Sequence, residues 1–315
     1  MVRCAASLSG HKGAINAVTF NEDGGYCMTG GIDRRVLLWN PHRDMEGAEH
    51  IPIKAYEAHN QFISDIAVAK DNCSFASCGG DRTVFVWDVA SGLVMRRLQG
   101  HEQRVNCVHY AGDCSVLVTG SYDRTVRCWD MRSKNAAPLQ TLTGAADSVS
   151  TVAVMGHEII AGSIDGHILM YDLRKGSLTR DAIGPPVGHV ALSRDGNCVL
   201  AGTLDSTLRL LDKSTGQVLC EYQGHSNSSF KLSCSLSRDD SKVLSGSEEG
   251  HLHAWDLVEG KMVLKKKAHT GPVVALSCHP TTSAVLTASH DGTAKLWVAG
   301  AAGAGTAGQS VIGDQ

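Results

Sequence analysis

A histidine, a hydroxyl and a carboxylate stand at fixed spacing in this 315-residue chain: His101, Thr119 and Asp123, followed by Trp129. That trio of types can activate a hydroxyl for nucleophilic attack. The set recurs, however, as His11, Thr29, Asp33 and Trp39; His59, Ser77, Asp81 and Trp87; His225, Ser245, Glu249 and Trp255; and His269, Thr287, Asp291 and Trp297. A catalytic centre is built once, so a set that repeats along the chain reads as structure. Hydrogen-bond bookkeeping gives the reason. A buried indole N–H needs an acceptor, a hydroxyl supplies it, the hydroxyl proton needs an imidazole nitrogen, and the other nitrogen donates to the carboxylate. Two further copies keep Asp165 and Asp205 but carry Ala145 and Ile183 for the histidine, Ala161 and Ala201 for the hydroxyl, and Tyr171 and Leu211 for the tryptophan. Losing three members together avoids an orphaned buried polar group, which costs about 1–3 kcal/mol.

The elements that must hold these sets follow from the period. The Trp-type positions 39, 87, 129, 171, 211, 255 and 297 are separated by 48, 42, 42, 40, 44 and 42 residues, giving seven units. In the third unit Val105–Tyr110, Val116–Thr119 and Thr125–Asp130 read as strands, the last with alternating character, and Leu139–Leu142 as a weaker fourth. Four short strands per unit of about 42 residues without helical periodicity is the pattern of a propeller blade. The expectation is an all-β, seven-bladed β-propeller over residues 1–298, followed by a flexible Gly/Ala-rich tail over 299–315. The last unit lacks a fourth strand, and Val2–Leu8 stands where that strand stands elsewhere, so the N-terminal segment should close the ring.

Composition narrows the function. Hydrophobic residues make 43 % and charged residues 19 %, which excludes wholesale disorder, and a net charge of −3 argues against binding nucleic acid by bulk positive charge. No apolar run approaches the length of a membrane helix, and Met1–Gly10 has no leader-like apolar core, so neither membrane insertion nor secretion is expected. The 11 cysteines include no C-x-x-C pair and read as small core hydrophobes in a reducing compartment. Nucleotide, metalloprotease and nucleophile-elbow motifs are missing. Gly303–Gly308 fits a G-x-G-x-x-G string only inside the low-complexity tail, and Asn72–Ser74 and Asn227–Ser229 are sequons without a secretion context. The histidines outside the repeated sets show no ligand spacing, so no metal and no cofactor are expected. Lys265–Lys267, in the outer strand of the sixth unit, reads as edge protection.

The loops before each first strand and the turns between second and third strands should open on one end of the ring, as a contact surface on a rigid support. Positions three and five residues after each histidine, and the residue before each turn carboxylate, place Phe62, Ser64, Arg104, Asn106, Tyr122, Ser148, Ser150, Glu248 and His290 on this face or the channel. The sixth unit, with two extra residues after its histidine, places Phe230 and Lys231 there. Aromatic and Arg side chains dominate binding hot spots.

The Gly-His openings and Trp-Asp endings resemble the WD-repeat family over essentially the whole chain. The stretch Leu204–Gly216 continuing through Glu221–His225, with Asp88–Gly92 and Asp256–Gly260, is similar to the mitogen-activated protein kinase organizers of that family. The resemblance implies a non-catalytic protein-interaction scaffold. Its implied partners are kinase-cascade components and splicing factors. It implies a monomer working within larger complexes, in cytoplasm and nucleus. The rivals are a propeller enzyme, which would need a carboxylate or metal cluster at the channel, and a direct RNA-binding splicing subunit, which would need a basic, aromatic-rich face.

Overall fold

The structure, a computed structural model, describes residues 2–42 and 50–299. They form 28 strands in seven antiparallel four-stranded sheets, arranged as the blades of a propeller. The third blade is typical, with β10 (Val105–Tyr110), β11 (Val116–Ser121), β12 (Val126–Asp130) and β13 (Gln140–Leu142) in sequential order. Strands of the middle layer are covered on both faces by neighbouring blades, which is why they read as apolar runs without clean alternation. In β3 (Cys27–Gly31) all five residues are buried. The core is thus a set of wedges between sheets: Ala17, Met28, Val36 and Tyr56 of the first blade pack on Ile63, Ile66, Phe75 and Trp87 of the second.

The ring closes through its first strand. β1 (Val2–Ser9) pairs antiparallel with β28 (Thr293–Ala299), from Val2 opposite Ala299 to Ser9 opposite Thr293, with a bulge between Cys4 and Ala6. The last blade therefore has the order β1, β28, β27 (Val285–Ser289), β26 (Val273–Cys278). Leu8 and Ala6 of β1 are buried in the wedge formed by Ile15, Leu37, Trp39 and Leu296. Ala299 is still strand, so β28 enters the expected tail by one residue; the rest of that tail, 300–315, lies outside the described residues. Lys265–Lys267 ends the outermost strand of the sixth blade, β25 (Met262–Lys267), where a charged edge hinders pairing with another chain.

The turns between second and third strands share one backbone form. The residue after the turn carboxylate is left-handed in every blade: Arg34, Arg82, Arg124, Gly166, Ser206, Gly250 and Gly292, with φ between 61° and 84°.

Candidate functional site

Four blades carry the complete polar set. In the third, Trp129 Nε1 donates to Thr119 Oγ1 (2.9 Å), the hydroxyl lies 2.8 Å from His101 Nε2, and His101 Nδ1 lies 2.8 Å from Asp123 Oδ2. The carboxylate also accepts the backbone N–H of Glu102 at 3.0 Å, which pins the opening loop to the turn. The first, second and seventh blades repeat this: His11 to Asp33 and Thr29 at 2.9 and 2.7 Å, His59 to Asp81 and Ser77 at 2.8 Å each, His269 to Asp291 and Thr287 at 3.1 and 2.8 Å. The indoles of Trp39, Trp87 and Trp297 donate to Thr29, Ser77 and Thr287. Since each carboxylate accepts from Nδ1–H, Nε2 is left to accept from the hydroxyl, whose oxygen accepts the indole N–H. Burial raises the Asp123 carboxyl, but hydrogen bonds from His101, Thr125 and the Glu102 backbone outweigh it and hold the group well below the ordinary carboxylate range. Burial lowers His101, partly offset by Asp123, so the ring stays neutral. Each hydroxyl has its lone pair and proton committed within the blade, which leaves no free nucleophile.

The sixth blade corrects the sequence-based assignment. His225, Ser245, Glu249 and Trp255 do not connect. Trp255 Nε1 donates to the Gln223 carbonyl (3.0 Å), and Ser245 Oγ to the Gly246 carbonyl (3.1 Å). Glu249 reaches away, with its side chain 60 % exposed and 3.7 Å from His251 Nδ1. Both ring nitrogens of His225 and of His253 are buried with no hydrogen-bond partner among the described residues. The physical causes are the extra methylene of Glu249, the two extra residues after His225, and an imidazole, His253, stacked on Trp255 at 5.6 Å where the second blade has Phe85. Two outcomes follow. Thr119→Ala should cost about 2 kcal/mol in denaturant titrations, because it strands an indole and an imidazole together, while Ser245→Ala at the same blade position should cost less than half of that. His253→Phe should raise stability by about 1 kcal/mol, since it removes two unpartnered buried nitrogens and keeps a ring of similar size; unchanged or lower stability would mean that these nitrogens are satisfied.

The expected contact face divides. Arg104 and Tyr122 are exposed, with the guanidinium 4.6 Å from the ring centroid. Phe230, 37 % exposed, meets His290 edge-on at 5.1 Å. Phe62 is half-buried and packs close to Gly80. Glu248 is an internal cap: its carboxylate accepts the backbone N–H groups of Ser228, Ser229 and Phe230 at 2.8, 2.6 and 3.1 Å, and so shapes the inserted loop that presents Phe230. Asn106, Ser148 and Ser150 tie blades together. Asn106 donates to Ser148 Oγ and the Val149 carbonyl, and Ser150 to the Val187 carbonyl.

Of the two places expected for it, face or channel, Lys231 takes the channel. Leu232 takes the buried position, and Lys231 turns into the central channel, where its Nζ donates to the Asn106 carbonyl of the third blade at 3.0 Å. The channel holds Asp65, His109 and His189 as well, in a cavity of about 600 Å³ lined by inner strands of all seven blades. Asp65 accepts the N–H of Ile66 and of Val108. Burial and the nearby Lys231 push His189 down to about 3. Asp65, His109 and His189 fall on inner strands whose register with the second strand shifts between Ile63 and Asp65, between Val105 and Cys107 and between Val187 and His189, so a count along the repeat does not tell which of them faces the channel. The unit spacing also hid His157, Glu158 and Asp172, whose ligand atoms lie within 4.8 Å of one another; Glu158 is paired there with Lys213 Nζ at 2.7 Å.

Seven four-stranded blades with recurring His–hydroxyl–Asp–Trp ties define a WD-repeat propeller, and the chain belongs to that family. The model described as "WD domain, G-beta repeat" matches residues 2–40, 216–256 and 260–298, and that of the N-terminal domain of nucleolar protein 10-like proteins matches residues 60–232. Among its relatives, WD repeat domain-containing protein 83 of Rattus norvegicus is 46 % identical over 223 residues, 71 % of this chain and 69 % of that protein. The Homo sapiens protein of the same name gives the same identity and coverage. The Dictyostelium discoideum homolog is 31 % identical over 264 residues, 74 % of this chain and 79 % of its own.

Proposed function

We propose that this propeller is a non-catalytic scaffold that assembles components of a mitogen-activated kinase cascade and accompanies the pre-mRNA splicing machinery, as a monomer within larger complexes, in both cytoplasm and nucleus. The observation that carries the scaffold reading is the gathering of Phe62, Arg104, Tyr122, Phe230 and His290 on turns and opening loops, outside the structural networks. Blades fix these loops, so little entropy is lost on binding. The resemblance of Leu204–Gly216 to the kinase organizers supports the choice of partners. Against an enzyme stands the use of the ring carboxylates Asp33, Asp81, Asp123 and Asp291 within the blades, and of the channel carboxylate Asp65 as acceptor for the backbone N–H groups of Ile66 and Val108.

A triple substitution, Phe62→Ala with Arg104→Glu and Tyr122→Ala, should abolish recovery of the main partners in affinity purification while leaving the melting temperature within about 2 °C, the scale of a 1 kcal/mol change. Recovery of splicing factors after RNase treatment marks direct protein contacts, and their loss would favour an RNA-binding subunit. The same partners at the same level in the folded triple variant would refute the face. Fractionation of a tagged chain tests the two compartments.

A further inference from the structure

The turns that form the contact face carry a bias that folding does not explain. At the left-handed position after the turn carboxylate, the fourth, sixth and seventh blades have Gly166, Gly250 and Gly292, the residue that takes this conformation without steric cost. The first three blades instead have Arg34, Arg82 and Arg124, at φ 66°, 61° and 67°. A side chain in that region is held against its own preference. All three arginines are exposed, and among the described residues none of them forms an ion pair; Arg82 has a single long contact, 3.4 Å, to the Glu102 carbonyl. They return nothing visible to the fold.

Two of them flank a built concavity. A depression of about 420 Å³ between the second and third blades is lined by Gln61, Gly80, Arg82, Gln103, Arg104 and Tyr122. A second depression, beside it, shares Gln103 and Tyr122 and includes Arg124. Tyr122, 47 % exposed, is therefore the ridge between them, with the Arg104 guanidinium resting on its ring. That stacking fixes the plane of Arg104 and leaves its N–H edges open, the arrangement that grips carboxylates in bidentate fashion. Acidic groups facing the site are few. Asp123 is held by His101, and the exposed Glu102 and Asp147 stand on the rim of the second depression only.

Resting on the scaffold reading above, we propose that the paired depressions around Tyr122 are a docking site for an acidic peptide segment of a partner protein, whose carboxylates are taken by Arg82, Arg104 and Arg124 while an apolar side chain lies against Tyr122. The charge of the site selects the partner, and the aromatic ridge sets its register. A nucleic acid offers phosphates and stacking bases too. The basic zone, however, spans only two neighbouring depressions and is bounded by Glu102 and Asp147, which favours a short acidic segment over a tracked backbone.

The left-handed backbone supplies a benign variant. Arg82→Gly with Arg124→Gly installs the residue that three other blades already use, so the ring keeps or gains stability. Binding would be followed by fluorescence anisotropy of a labelled Glu-rich 12-residue peptide containing one Leu, at 50 mM and 200 mM salt. A Lys-rich peptide and a 12-nucleotide single-stranded polyuridine RNA serve as comparisons. The full-length protein should prefer the Glu-rich peptide by at least tenfold over either. The double variant should lose at least tenfold of that affinity and most of its salt dependence, and Arg34→Gly, outside both depressions, should change it less than twofold. Equal peptide binding by the double variant, no peptide binding by the unaltered protein, or tighter binding of the RNA would each overturn the acidic-peptide site. If the double variant still recovers every cellular partner while the Phe62, Arg104 and Tyr122 triple variant recovers none, the docking site fails and the scaffold face stands.

Discussion

Removal of residues 1–9 should lower the melting temperature by about 8 °C or more. The deletion takes away a strand that pairs with β28 along its whole length and empties the wedge position of Leu8, which is fully buried. Truncating one such side chain already costs about 2–5 kcal/mol. The loss also uncovers Trp297, which packs beside Val2, and opens an edge along β28. A total of about 4 kcal/mol, at about 2 °C per kcal/mol for a large domain, gives the stated shift. A truncated protein that melts within 1 °C of the full chain, by calorimetry, would show that β1 contributes nothing to closure.

Acid should unfold the ring in two stages. Burial pushes His225 and His253 down to about 4, so both are neutral in the folded ring at a pH where the unfolded chain already binds protons. They impose no proton-linked penalty above about pH 6.5, and the ring loses stability as pH falls towards 4 and the unfolded chain takes up protons that the fold refuses, on the order of 5 kcal/mol in sum. Asp33, Asp81, Asp123 and Asp291 behave differently. Burial raises each, but hydrogen bonds from the partner histidines and backbone N–H groups hold each below its unfolded value. Their contribution persists down to about pH 4 and disappears only below it. His189, pushed down to about 3, and His101 and His269, also lowered by burial, add to the first stage. Denaturant titrations from pH 7.5 to 3 should therefore show that stage made shallower in a His225→Leu, His253→Phe variant, with the second stage intact. If that variant follows the original profile between pH 6.5 and 4, the sixth-blade histidines do not govern it.

The blades were legible because the repeat reports itself. Trp129, Thr119, Asp123 and His101 each mark a fixed place in a strand, a turn or a loop, and the joint loss of the histidine, hydroxyl and tryptophan in the fourth and fifth units, which keep their Asp, is itself a statement about hydrogen bonding. Closure by β1 was legible by subtraction, since the last unit lacks a strand. The sixth blade misled for a physical reason: Glu249 and Asp share a charge but not a length, and the residue that fills the space, His253, lies outside the repeated set. The contact face was harder still. Exposure of Arg104 and Tyr122 follows from the repeat, whereas the capping role of Glu248 and the inward turn of Lys231 depend on the path of a loop, 226–233, that no other blade has. The bias at Arg34, Arg82 and Arg124 needs backbone angles to be seen at all.

Closing the ring with strands from opposite ends of the chain has a consequence for biosynthesis. The ladder partner of β1 emerges from the ribosome nearly 300 residues later, so the ring's first strand is the last to find its hydrogen-bonding neighbour, although Ala6 and Leu8 have the first blade to pack on. Until then it waits as an unpaired ladder beside a growing row of blades, open to pairing with another nascent chain. Such long-range closure is slow. Cells that make this protein should therefore need to shelter its first strand during translation, and the last stretch of synthesis is the moment at which the protein is won or lost.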